Sequence, residues 1–180
     1  MIYTYSELEE IYKTDYKIKK AISAGKIFKI EKGIYSDMQF VSPMEIITKK
    51  YPDAIFTMDS AFYFHGLTDV IPAKMHLATK RDSIRINRDK IIQIFVIEKL
   101  HEIGKTHIVF EGVSIAIYNM ERMLIELIRN RRRMAFDYYK EIIGSYRRRQ
   151  NELDTEKIED YIGKFDIENY IFNIVQNEVF

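Results

Sequence analysis

The chain contains no cysteine and no tryptophan. The first absence removes a disulfide framework, a thiol nucleophile and any cysteine-based zinc site. Its seven glycines are scattered, and none falls in the GxxxxGK or GxGxxG spacing that cradles a phosphate. His65, His76, His101 and His107 form no HxH, HxxxH or HExxH pair, so no metal site is expected. Carboxylates are many, but none stands in a recognisable catalytic spacing; Asp59-Ser60 and Asp82-Ser83 are not nucleophile elbows. The expectation is a chain with no catalytic residue and no cofactor. Long apolar runs are missing too: nothing approaches the roughly 20 residues of a membrane span. The N-terminus, MIYTYSELEE, is acidic and aromatic, unlike a signal peptide, and a cytoplasmic protein is expected.

An excess of one charge sign is also absent overall. The 28 basic and 27 acidic residues leave a net charge of +1, which names no partner. The distribution is informative where the total is not. Six lysines and one acid, Glu31, lie between Lys17 and Lys32. Nine basic residues and three acids lie between Arg122 and Arg149, and eight acids against two lysines follow from Glu152 onward. Two basic segments and an acidic tail result. Hydrophobic residues make up 47% of the 180, enough for a real core.

Ser6 followed by Glu9 predicts a capped helix with Leu8, Ile11 and Tyr12 on its apolar side. Thr14-Asp15 breaks it and offers a new N-cap. A second helix is predicted from about Tyr16 to Ala24, with Tyr16, Ile18, Ala21 and Ile22 inward and Lys17, Lys19 and Lys20 largely outward. Gly25 stands where a helix ends in left-handed backbone. Lys26–Ile30 alternates like a half-buried strand, Glu31-Lys32-Gly33 is a turn, and Ile34-Tyr35 begins the return. Ser42-Pro43-Met44-Glu45 opens another helix, ending before Tyr51-Pro52-Asp53. A helix over Ser60–His65 is predicted to stop at Gly66. Four strands follow, at Lys74–Thr79, Ile91–Ile97, His107–Glu111 and Val113–Tyr118. Asn119 caps a helix through about Arg131; further helices are predicted at Met134–Arg149, Thr155–Phe165 and Ile167–Val179.

The fold class read from this order is α+β: an N-terminal winged helix-turn-helix over residues 1–40, then a mixed β-sheet domain with C-terminal helices over 41–180. No stretch between them is rich in proline or glycine, so the join is short. A helix-turn-helix lays its second helix in the major groove, and lysines neutralise phosphates beside it. Double-stranded DNA is the expected partner. Lys17, Lys19 and Lys20 on the helix and Lys29 and Lys32 on the wing are the phosphate candidates, and Tyr16 and Ser23 are candidates for base contacts. Lysine holds phosphate charge, whereas arginine reads guanine bidentately, so holding is better served than reading. A solvated lysine face on a small α/β module explains the same spacing, and a winged helix that grips a protein and never touches DNA is the alternative function. Arg129–Arg133 and Arg147–Arg149 fall at predicted helix ends, where the dipole favours cations; they either pair with the acidic tail from Glu152 to Asp160 or form a second nucleic-acid surface. A nuclease or transferase would need Glu111, Glu121 and Glu126 to converge on a metal.

Three blocks are similar to the AbiEi-type antitoxins of type IV toxin–antitoxin systems. The wing GKIFKIEKGIY resembles that family's glycine-to-tyrosine wing pattern. Ser60–Asp69, SAFYFHGLTD, resembles its SALYLHGLTD signature and is followed by Ile71-Pro72. Gly112–Tyr118 with Glu121-Arg122-Met123-Leu124-Ile125-Glu126 resembles its strand-to-helix block, with Glu126 where the family has aspartate and Met123 where it has threonine. The likeness spans about residues 5–150. It implies an antitoxin linked to phage defence, with an N-terminal winged helix that binds inverted repeats in its own promoter and represses it, and a C-terminal domain that counteracts a nucleotidyltransferase-type toxin without a stable complex. A two-fold assembly, a dimer on repeated half-sites, is the expected mode of binding.

Overall fold

A computed structural model describes residues 1–165 and 168–180. The predicted start of the last helix at Ile167 lies outside the described residues. The chain divides into two compact units, Met1–Ala54 with Glu111–Val113, and Ile55–Phe110 with Ser114–Phe180.

In the first unit, β1 (Ile2–Thr4) leads directly into α1 (Tyr5–Tyr12). Thr4, not Ser6, caps α1: its extended backbone lets Oγ1 accept from the Glu7 amide, while the Glu7 carboxylate accepts the Thr4 N–H at 2.7 Å. Ser6 is already inside the helix. Lys13 ends α1 in left-handed backbone, φ 67°, and Thr14 caps α2 (Asp15–Ser23). The exit of α2 is set by Gly25 at φ +67°: its N–H reaches the Ile22 carbonyl at 3.0 Å, and the Lys26 N–H reaches that of Ala21 at 3.0 Å. That is a Schellman stop, and glycine meets its left-handed requirement without strain. β2 (Phe28–Glu31) and β3 (Ile34–Ser36) form a hairpin turning at Lys32-Gly33, and β1 joins the other side of β3 to give the order β1-β3-β2. Strand structure begins at Phe28 rather than Lys26, because the Schellman stop occupies Lys26. α3 (Pro43–Lys50) has the predicted capping box and proline. Leu8, Ile18, Ala21, Ile27 and Tyr35 form the core, with Tyr3, Tyr5, Tyr12 and Ile22 packed on it.

The second unit is built on a five-stranded mixed sheet. Its strands are β4 (Ile55–Phe56), β5 (Met75–Lys80), β6 (Ile91–Val96), β7 (Lys105–Phe110) and β8 (Val113–Tyr118), in the order β6-β5-β4-β8-β7. β5 runs parallel to β6 and β4 parallel to β8, while β4 and β5 are antiparallel. The helices are α4 (Met58–Phe64), α5 (Glu98–His101), α6 (Met120–Asn130), α7 (Phe136–Arg148), α8 (Thr155–Ile162) and α9 (Glu168–Glu178). Asn119 caps α6 as expected, accepting the Arg122 amide at 3.0 Å. Every residue of α6 from Glu121 to Ile128 is buried, and the helix packs against α4, α8 and α9. Ser60 is not a cap: α4 starts two residues earlier, and the buried Ser60 Oγ accepts the His76 amide of β5 at 2.8 Å. The α4 exit repeats the α2 device, with Gly66 at φ +65° and the Leu67 N–H on the Phe62 carbonyl at 2.9 Å, which draws the fully buried Leu67 back onto the helix.

Candidate nucleic-acid interface

α2 and the β2–β3 hairpin share one core. Ile18 and Ala21 of the helix and Tyr35 of β3 lie in the same buried cluster, so the basic residues of both elements are carried by one packed body. Side chains advance by about 100° per residue around a helix. With Ile18, Ala21 and Ile22 inward, the stripe directly opposite is Tyr16, Lys20 and Ser23, flanked by Lys17 on one side and Lys19 on the other. All five are exposed. Tyr16 therefore corrects the sequence expectation of an inward residue: it is 74% exposed. Its place on the side of α2 opposite Ile18 and Ala21 turns the ring away from the core.

The lysines differ in what already occupies them. Lys19 pairs with Asp15 one turn earlier at 2.7 Å. Asp15 also accepts the Tyr5 hydroxyl, whose ring lies 6.0 Å from that of Tyr35. The Lys19 and Tyr5 hydrogen bonds hold the Asp15 carboxyl below its usual range, the Lys19 ammonium is raised in turn, and the Tyr5 phenol is pushed up to about 12 by Asp15. Lys17, Lys20, Lys26, Lys29 and Lys32 are exposed and have no carboxylate partner among the described residues. Lys29 stands on β2 opposite Tyr35, and Lys32 at the hairpin turn beside Gly33, φ +82°. Lys26, in the bend between α2 and β2, joins the exposed cations; its place beside Gly25 was the signal for it. The one acid of the segment, Glu31, takes Lys50 of α3 at 2.7 Å, and Glu7 takes Lys49 at 2.6 Å. α3 thus supplies the cations for Glu7 and Glu31, while Asp15 takes Lys19 of α2.

The second unit pairs several of its charges internally. Arg122, fully buried, donates to Glu126 at 2.8 and 3.1 Å and to the carbonyls of Leu100 and Ile103 at 2.9 and 3.2 Å. Glu121 accepts the Asp154 amide at 3.1 Å, and no group of three or more histidine or carboxylate side chains among the described residues could hold a metal. Arg149 pairs with Glu152 at 2.8 Å, inside the expected Glu152–Asp160 tail, whereas Arg131 pairs with Glu178 at 3.6 Å and Arg129 with Glu126 at 3.0 Å, both outside it. His65 is the C-cap residue of α4 and donates from Nε2 to the Tyr118 carbonyl at 2.7 Å.

No protein-family model matches the chain, and no curated protein matches it. No helix among the described residues is long and apolar enough to cross a membrane.

Proposed function

We propose that the first unit is a winged helix-turn-helix that binds double-stranded DNA, and that the chain is an autorepressor and antitoxin of the AbiEi type. The observation that carries this reading is the set of exposed, acid-free lysines on α2 and the hairpin, held on one core. A helix whose outer stripe is Tyr16, Lys20 and Ser23 suits the major groove, with Lys17 beside it on one backbone and Lys29 and Lys32 of the wing on another. Two copies on inverted repeats would double the phosphate contacts and supply the specificity that lysines alone lack. The antitoxin role rests on the wing, Ser60–Asp69 and Tyr118–Glu126 likenesses. It is a non-enzymatic role, with no cofactor, exerted against a nucleotidyltransferase-type toxin without a stable complex.

The test is a mobility-shift titration of the full chain on DNA upstream of its own gene, across a salt series. Lys17→Ala with Lys20→Ala is expected to weaken binding and to flatten the log K against log salt slope by about 2 for each bound copy, since each lost phosphate contact removes about 0.9. An unchanged slope and affinity would remove α2 as the docking face. Absence of any salt-dependent duplex binding would favour a protein-gripping winged helix. Co-expression with a neighbouring nucleotidyltransferase-type gene tests the antitoxin half: growth is expected to recover.

A further inference from the structure

The second unit carries a cavity of about 730 Å³ between the end of β6, α5, the end of α6 and the residues after α8. That lies within the roughly 300–1,000 Å³ usual for small-molecule sites. Five cations line it, Lys99, Arg129, Arg132, Arg133 and Lys164, against one acid, Glu126. That acid is already saturated. Its Oε1 takes two hydrogen bonds from Arg122, Arg129 Nη1 lies 3.0 Å from each oxygen, and Asn130 Nδ2 lies 3.4 Å from Oε2. Glu126 therefore has nothing left for the other cations.

Arg129 is held in place by this pairing and by the Phe165 ring, 4.5 Å from its guanidinium carbon. Lys164 pairs with Asp160 at 3.0 Å, but both side chains are half exposed, a weak and screened pair. Lys99, Arg132 and Arg133 are exposed and have no carboxylate partner among the described residues. Arg132 and Arg133 stand on a short 3-10 turn directly after α6. Like charges gathered on a concave, partly apolar wall focus positive potential into it, and their mutual repulsion is relieved by a polyanion.

We propose that this cavity binds a small molecule carrying a di- or triphosphate group. Guanidinium forks match phosphate oxygens in planar, charge-assisted pairs. A single inorganic anion would leave most of the volume empty, and a double helix is too wide to enter. Phe95 and Leu100 on the same wall offer apolar surface to an uncharged moiety such as a nucleobase. This site is independent of the DNA-binding reading of the first unit.

The experiment is calorimetric titration of the full chain with ATP, inorganic tripolyphosphate and sulfate at matched ionic strength. It compares the natural chain with Arg132→Gln/Arg133→Gln and with a charge-matched control, Lys74→Gln/Arg81→Gln. Circular dichroism confirms that each variant is folded. The expected result is one saturable ATP site, competed by tripolyphosphate but not by sulfate. Its affinity should fall about tenfold or more in the first variant and hold in the control. Failure of both ATP and tripolyphosphate to saturate overturns the proposal, as does equal weakening by the control, which would mean diffuse charge and no site. Loss of binding to a short duplex in the Arg132/Arg133 variant, with no ATP binding to the natural chain, also overturns it and makes the cavity part of a nucleic-acid surface.

Discussion

Gly104 and Arg122 are coupled by space. A Cβ on Gly104 would lie 2.4 Å from the Arg122 Cβ and 2.8 Å from Asn119 Oδ1, at a backbone φ of +76°. Both faults act together, so Gly104→Ala is expected to destabilise by roughly 2–4 kcal/mol in a urea titration. A loss under about 1 kcal/mol would mean that α6 shifts freely there. Arg122 is fully buried and its guanidinium also lies over the Tyr118 and Phe165 rings, 4.7 and 4.8 Å from their centroids. Removing one member of a buried pair strands the other; Arg122→Met should cost about 3 kcal/mol, the low end of the usual range because Glu126 keeps Arg129. Adding Glu126→Leu should restore part of that loss, and an additive double variant would contradict the pairing. These residues stood out in the sequence as part of a family-like block. Their burial did not: an i,i+4 Arg–Glu pair is written the same way on a solvated helix as inside a core.

At the level of elements, the legible parts are those with punctuation. Thr14 and Gly25 bracket α2, and Ser42-Pro43-Glu45 opens α3, because caps are local backbone chemistry. β1, β4 and α5 carry no legible signal in the sequence. Elements of three, two and four residues are shorter than the periods that reveal them, and they exist because neighbouring strands or helices complete them. Helical spacing gives the inward face of α2 at Ile18 and Ala21 but not at Tyr16, whose bulk suggests an interior that the fold does not supply. The charge run groups Lys19 with its neighbours, although Asp15 occupies it. Lys19→Ala should therefore weaken DNA binding less than Lys20→Ala. Asp15→Asn should strengthen it a few-fold, roughly the worth of one exposed ion pair. Equal losses at Lys19 and Lys20 in the shift assay would show that the Asp15 pair opens on DNA without penalty.

For the molecule as a whole, acid is the condition to vary. Burial holds the His65 and His76 imidazoles below their ordinary 6.5. Between the folded values and 6.5 the unfolded chain binds protons that the folded chain refuses. Stability is then complete above pH 6.5 and falls as pH drops below it. Urea midpoints at pH 7.5 and 5.5 should differ in that direction, and His65→Gln should reduce the difference; a flat profile would contradict it. A second loss begins below about 4.5, where Glu7 loses its Lys49 bond and Glu102 its Lys105 bond, both carboxyls being held low by those partners. The sequence alone determined the α+β class, the order of the long elements, and a lysine-rich helix and hairpin near the N-terminus, because caps, periodicity and charge runs are properties of neighbouring residues. Only the tertiary structure decided which charges are free. Glu31 is answered by Lys50, Glu126 by Arg122 and Arg129, and Arg132, Arg133 and Lys99 meet at one cavity. Glu31 meets a residue 19 positions away, the cavity gathers residues from separate elements, and even the local Arg122–Glu126 pair owes its weight to burial, which neighbouring residues do not encode.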